Sequence, residues 1–298
     1  MSKRRQFFDP TELARYGGLS LVARNVVEGF LSGIHRSPFK GFSLEFAEHR
    51  QYYPGDEIRR IDWRAFGKTD RYFIKEYEDE TNLKAVLVVD ASGSMGYQGK
   101  QKLSKFAFAQ QVTASLAYLL LGQLDSVGLL THDTKPRAYI PPKSEGKHLF
   151  TLLRTLEQTH VGGETSLGEV WNQIAGKHLK RRGLVVLLSD CFGDIPGITR
   201  AMRHLRYSRH EVILFQILAP EEVDFPFKNP TKFKSLEVKG YELTVDARRL
   251  REEYQKNFED HRRQLRKITE ELGIDYVMLR TNEPVERALG AYLRCRDT

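Results

Sequence analysis

Lys84-Ala85-Val86-Leu87-Val88-Val89-Asp90-Ala91-Ser92-Gly93-Ser94 is the stretch that decides the fold. Its apolar core has no polar face to show to water, so it fits a strand covered on both sides, the kind found in parallel sheets. The strand closes on a carboxylate and a small-residue turn. Leu184-Val185-Val186-Leu187-Leu188-Ser189-Asp190 repeats that design. Between and after them the spacing predicts helices over 103–124, 146–156, 167–177, 198–206, 247–272 and 284–293. It predicts strands over 127–131, 212–218 and 275–279, and an edge strand over 137–140 beside Pro141-Pro142. The helix over 247–272 carries an apolar stripe of Leu250, Tyr254, Phe258, Leu265, Ile268 and Leu272, and Gly273 ends it. Residues 219–240 read as a long loop with a small hairpin, 233–238 against 241–245. Strands alternating with helices predict an α/β fold with a doubly wound, mostly parallel sheet over 81–298.

Residues 1–80 have another texture. Asp9-Pro10 opens a helix that could run to Phe30, weakened at Gly17-Gly18. Short strand-like pieces rich in aromatics and charge follow, with a turn at Tyr53-Pro54-Gly55-Asp56 and a strand over 73–77. A small N-terminal α+β module over 1–80 is expected.

The chain has 298 residues, 40% hydrophobic and 29% charged, which excludes disorder, collagen and disulfide-stapled mini-domains. Two cysteines, Cys191 and Cys295, make no disulfide framework and no metal-type pair. The basic start lacks the apolar run of a signal peptide, and no apolar stretch is long enough to span a bilayer. A cytoplasmic protein without a transmembrane segment is expected. The net charge is +8, and nearly all of the excess falls within 81–218, which predicts one basic face on one domain.

Ligands of open parallel sheets sit outside the carboxyl ends of the strands. Three pieces of sequence fall there: Asp90-Ala91-Ser92-Gly93-Ser94, Gly162-Gly163-Glu164-Thr165-Ser166, and Asp190. They offer hard oxygen donors of the kind Mg²⁺ or Mn²⁺ takes. Gly93 is expected to let the turn fold sharply enough for Ser92 and Ser94 to face one ion with Asp90. The bland alternative is a helix cap by Ser92 or Ser94, with Asp90 bonded to turn amides. The set resembles the metal-ion-dependent adhesion site (MIDAS) of von Willebrand factor A domains, whose pattern of Asp-x-Ser-x-Ser, a later Thr and a later Asp is filled by Asp90, Ser92, Ser94, Thr165 and Asp190. That resemblance implies a von Willebrand factor A or Rossmann-like sheet.

Upstream, the stretch from Glu45 through Arg50, Tyr52, Gly55, Asp56, Arg59, Asp62 and Trp63 is similar to the signature of a bacterial family labelled domain of unknown function 58. Phe225-Pro226-Phe227, Tyr254 and the ending around Arg280-Thr281-Asn282-Glu283-Pro284, Leu293 and Arg294 resemble it too. Genes of that family often lie beside those of MoxR-type AAA+ ATPases, so the resemblance implies an adaptor for such an ATPase and its client protein. The signature residues could equally form an internal network of ion pairs that fixes the N-terminal module.

Other chemistries fit less well. Gly67-Lys68-Thr69 lacks the glycine five residues upstream that a phosphate-cradling loop needs, because Asp62 stands there. A haloacid-dehalogenase-type phosphohydrolase could use Asp90 as nucleophile with Asp190 and Asp194, but Ser92 occupies the place of its acid–base carboxylate. Lys180, Arg181, Arg182, Arg200, Arg203 and Arg206 form a possible basic docking face. They could grip an acidic protein or phosphates, yet no nucleic-acid motif accompanies them. The expectation is a non-enzymatic, magnesium-dependent interaction module, whose metal shell an acidic side chain from a partner completes.

Overall fold

The computed structural model of this chain describes residues 18–36, 49–51, 73–75, 83–163, 166–237 and 240–296. Residues up to Ser32 and from Leu83 onward form one compact unit, and Gly33–Asn82 form another.

In the first unit, the apolar runs fold as expected. β3 (Lys84–Asp90), β4 (Ser126–His132), β6 (Leu184–Ser189) and β7 (Glu211–Leu218) are buried along nearly their whole length. With β5 (Pro136–Lys143) and β10 (Asp275–Arg280) they build a six-stranded sheet in the order β10-β7-β6-β3-β4-β5. All neighbours are parallel except β5, which runs antiparallel to β4 at the edge. There the burial pattern alternates, and Pro141 and Pro142, which donate no ladder bonds, are tolerated. Opposite them Gly128 is required by crowding, since a Cβ would lie 2.7 Å from the Ile140 carbonyl oxygen.

Helices cover both faces of this α/β sheet. On one side α4 (Leu167–Lys177), α5 (Ile195–Tyr207) and α7 (Ala247–Glu271) close a core in which Trp171, Leu187, Ile198, Met202, Leu214 and Leu265 pack together. Burying each such side chain contributes about 1.5–3 kcal/mol. On the other side lie α2 (Lys105–Gly122), α3 (His148–Gln158) and α8 (Glu286–Arg296). The described part of the N-terminal helix, α1 (Gly18–Arg36), buries Ala23 and Val27. The expected start of that helix at Asp9 lies outside the described residues.

Between β7 and α7 the expected long loop is more ordered than its Pro and Lys content suggests. It holds a short helix, α6 (Pro220–Asp224), and an antiparallel pair, β8 (Pro230–Lys234) with β9 (Glu242–Asp246). The pair starts three residues earlier than the spacing predicts. In the second unit β1 (His49–Gln51) pairs antiparallel with β2 (Phe73–Lys75), Arg50 opposite Ile74.

The chain leaves β3 in one direction to build β4 and β5, and returns to β3's other side to build β6, β7 and β10. This reversal opens a crevice at the carboxyl ends of β3 and β6, where ligands of doubly wound sheets bind.

Candidate metal centre

Asp90 ends β3 and is wholly buried. Its Oδ1 accepts from the Ser92 backbone N–H at 2.9 Å, which folds the chain into an Asx turn, and a 3₁₀ turn over Gly93–Gly96 follows. Ser92 stands at the N-cap of that turn, yet its hydroxyl makes no capping bond. It lies instead 3.2 Å from the Ser94 hydroxyl. Half of the bland alternative therefore holds, since Asp90 does bond a turn amide, while the serine hydroxyls are left to face each other. Gly93 has no positive φ, and the glycine is needed because a Cβ would come within 2.3 Å of the Leu236 carbonyl oxygen.

Across the crevice Asp190 follows β6 and is almost completely buried. Its Oδ1 accepts from the Phe192 N–H at 3.1 Å, and its carbonyl accepts from Gln216 Nε2 at 3.0 Å. The Ser189 hydroxyl donates to Asp90 Oδ2 at 2.6 Å and accepts from the Cys191 N–H at 3.0 Å, tying the two strand ends together. Burial pushes the Asp90 carboxyl above its ordinary range, and nearby Asp190 adds to this.

Asp190 Oδ2 is engaged by a group the sequence did not single out. The ammonium of Lys105, on the first residue of α2, donates to it at 2.7 Å and to Glu222 Oε1 on α6 at 2.6 Å. Lys105 is wholly buried, and its Nζ lies 5.0 Å from the centroid of the Phe192 ring. Burial alone would lower its pKa, but the charges of Asp190 and Glu222 outweigh that and raise it. At Glu222 burial wins over Lys105 and the carboxyl is pushed up, so the partners shift the same way. The two short bonds and the second carboxylate decide in favour of a charged ammonium.

Glu222 is itself held from below. Its Oε2 accepts from the Ala219 N–H at 2.7 Å, and Tyr254 donates its hydroxyl to the Glu222 carbonyl at 2.8 Å. Phe225, whose ring is centred 4.5 Å from Tyr254 and 5.2 Å from Phe227, completes that floor. The Phe225-Pro226-Phe227 stretch and Tyr254 thus support the Lys105 site.

The third piece comes from the loop before α4. Gly162 N–H donates to the Ala91 carbonyl and Gly93 N–H to the Gly163 carbonyl, both at 3.0 Å, so this loop lies against the serine turn. Arg137 fixes it by bonding Asp133 Oδ2, through Nε at 2.7 Å, together with the His160 and Gly162 carbonyls. Thr165 itself, and Glu164, lie outside the described residues. Beside Asp90, His132 is buried and accepts at Nε2 from Trp171 Nε1 at 3.1 Å, so its proton belongs on Nδ1. Burial lowers its pKa and keeps it neutral.

The donors fit a magnesium-type ion in kind. Among the described residues no three His, Cys, Asp or Glu side chains could hold a metal by themselves, so the hydroxyls are needed. Adjacent oxygens of an octahedral Mg²⁺ shell lie about 2.9 Å apart, close to the 3.2 Å between the serine oxygens.

The remaining candidates lie elsewhere. Lys180, Arg181 and Arg182 are exposed at the amino end of β6, opposite the crevice, with Arg182 3.7 Å from Glu211. Arg200 and Arg203 are exposed on α5, whereas Arg206 is half-buried and bonds the Leu272 and His210 carbonyls at 2.8 Å each. Asp194 caps α5 by accepting from the Gly197 N–H at 2.7 Å, which engages a carboxylate that the phosphohydrolase alternative would need. Of the upstream signature, Arg50 lies in β1; Glu45, Tyr52, Gly55, Asp56, Arg59, Asp62 and Trp63 fall outside the described residues.

An uncharacterized protein of Mycobacterium tuberculosis is 28% identical over 278 residues, covering 92% of this chain and 86% of that one. One of Mycobacterium avium is 29% identical over 145 residues, 47% of this chain and 84% of that one. Among solved structures, the conserved hypothetical protein BatB of Bacteroides thetaiotaomicron overlaps with a TM-score of 0.46 at 14% identity, covering 72% of this chain and all of that one (100%). A von Willebrand factor type A structure from Catenulispora acidiphila overlaps with a TM-score of 0.43 at 13% identity, covering 72% and 42%. These overlaps are too loose to add weight to the strand order itself. The family described as Protein of unknown function DUF58 matches residues 48–264, and the chain belongs to it.

Proposed function

We propose that this chain is a non-enzymatic protein-interaction module that holds Mg²⁺, or Mn²⁺, at the crevice between β3 and β6. The observation that carries this is the pair of serine hydroxyls 3.2 Å apart, flanked by the buried carboxylates of Asp90 and Asp190 at the switch in strand order. Ser92, Ser94 and Thr165 would be the ligating hydroxyls, with Asp90 and Asp190 supplying negative charge around the ion. The metal contributes one thing the side chains lack, a coordination position for an acidic side chain of a partner.

A nucleophilic serine needs a neighbouring base. Among the described residues the Ser92 and Ser94 hydroxyls bond each other and neither bonds His132 or Lys105. The family's gene neighbourhood suggests a MoxR-type AAA+ ATPase as the partner, acting on a client protein in the cytoplasm. The test is binding of the purified chain to such an ATPase in Mg²⁺, in EDTA, and with Ser94→Ala. Ser94 is half-buried, so the variant keeps its fold. Retention by the wild type in Mg²⁺ alone supports the proposal; retention in all three conditions overturns it.

A further inference from the structure

The metal-dependent role leaves Lys105 unaccounted for. Lysine is almost never fully buried unless its charge is paired, and the residues beside it in α2 that are buried, Phe106, Phe108 and Ala109, are apolar. An apolar side chain of the same length would fill the space, so what position 105 adds is a positive charge. That charge sits between one carboxylate of the candidate metal centre, Asp190 at 2.7 Å, and one outside it, Glu222 at 2.6 Å.

We propose that Lys105 is a tethered cation that shares Asp190 with a divalent ion. It neutralises that carboxylate while the metal position is empty, and it sets the metal affinity by competing for it. This rests on metal binding at the same crevice. The physical reason is the density of buried acid. Asp90 and Asp190 close the adjacent strands β3 and β6 and are both buried, and neighbouring buried carboxylates cannot all stay ionised without a positive partner. In a site without such a lysine the metal itself would be that partner, and the site would depend on it to fold. Here the ammonium lets the crevice form first and take up metal second.

Glu222 makes the arrangement reversible. It is fixed by the Ala219 N–H and, through its carbonyl, by the Tyr254 hydroxyl. When a dication draws on the charge of Asp190, the ammonium still has Glu222 as partner. The consequence is a weak metal site in the isolated chain, which tightens when an acidic ligand binds with the metal. Affinities coupled in this way are reciprocal.

Two substitutions pull in opposite directions. Lys105→Met frees Asp190 for the metal, whereas Glu222→Gln leaves the ammonium with Asp190 alone. The experiment is a Mn²⁺ titration of the full chain, wild type and both variants, by calorimetry and by the spin-resonance signal of free Mn²⁺. Circular dichroism in EDTA checks each fold. The proposal expects Lys105→Met to bind Mn²⁺ roughly tenfold tighter or more, the size of effect one nearby charge exerts on another. Glu222→Gln should bind it severalfold more weakly, and adding Ser94→Ala to Lys105→Met should abolish the gain.

If the wild type binds Mn²⁺ and Lys105→Met binds it equally or less tightly, the tethered-cation proposal is overturned while metal binding stands. If neither binds, both are overturned. Binding by Lys105→Met alone supports the tethered cation in its strongest form, in which the ammonium displaces the metal, and overturns the metal-dependent function of the native chain. Should Lys105→Met fail to fold, Glu222→Gln decides: binding weaker than the wild type's supports the proposal, and unchanged or tighter binding, or no binding by wild type and variant alike, overturns it.

Discussion

Ser94 and Asp125 are single residues whose environments make opposite kinds of prediction. Among the described residues the Ser94 hydroxyl bonds its neighbour Ser92, and it stands half-open to solvent. Ser94→Ala should therefore leave the melting temperature within about a degree, since substitutions away from core and caps change stability by about 0.5 kcal/mol or less. It should weaken Mn²⁺ binding at least tenfold, read by calorimetry. Asp125 is half-buried before β4 and accepts from the Leu83 N–H at 3.1 Å. Burial pushes its carboxyl up to about 6. The unfolded chain gives up this proton first, near the ordinary pKa of 3.8, and the folded chain near 6. The contribution of Asp125 to stability is therefore full below pH 3.8 and is lost as pH rises through 6. Asp125→Asn keeps the acceptor and removes the proton. Thermal melts between pH 4 and pH 7 should show the variant gaining on the wild type as pH rises, and a constant difference would refute this.

At the scale of elements, the packing of α4 on α5 governs how the crevice is walled. A Cβ at Gly168 would lie 2.3 Å from the Gly197 carbonyl carbon, so these helices touch backbone to backbone just behind the Gly162-Gly163 loop. Gly168→Ala must push them apart at a cost of about 1–3 kcal/mol. A chemical denaturation curve should show it as a lower midpoint with an unchanged slope, and a midpoint equal to the wild type's would contradict the close contact. Elements such as α4 were legible in sequence because apolar periodicity reports burial directly: the bounds 167–177 hold to the residue. α6 was not, because five residues cannot show a helical period. Lys105 was missed for a different reason. A lysine in a helix reads as solvated, and only the convergence of Asp190 and Glu222, distant in sequence, makes its burial tolerable. Gly93 shows a third limit, since the Leu236 carbonyl that demands it arrives from the β8–β9 segment.

Across the whole molecule, charge separates the two ends of the sheet. The carboxyl end holds the buried acids Asp90 and Asp190 and the partly buried Glu222, with one ammonium bonded to the last two, and the amino end presents exposed Lys180, Arg181 and Arg182. A partner that completes a metal shell must approach the first end, and one that grips basic side chains must approach the second. These modes differ in their response to salt. Exposed ion pairs are screened over about 8–10 Å at physiological ionic strength, whereas a carboxylate bound directly to a dication is screened much less. The triple variant Lys180→Glu, Arg181→Glu, Arg203→Glu reverses charge at exposed positions remote from the crevice, so its Mn²⁺ affinity should stay within about twofold of the wild type. Capture of the proposed ATPase partner in Mg²⁺ should then survive both the charge reversal and 0.5 M salt, and vanish in EDTA. Loss of capture on charge reversal, with Mn²⁺ binding intact, would move the docking surface to the amino end of the sheet and leave the metal centre a different ligand to find.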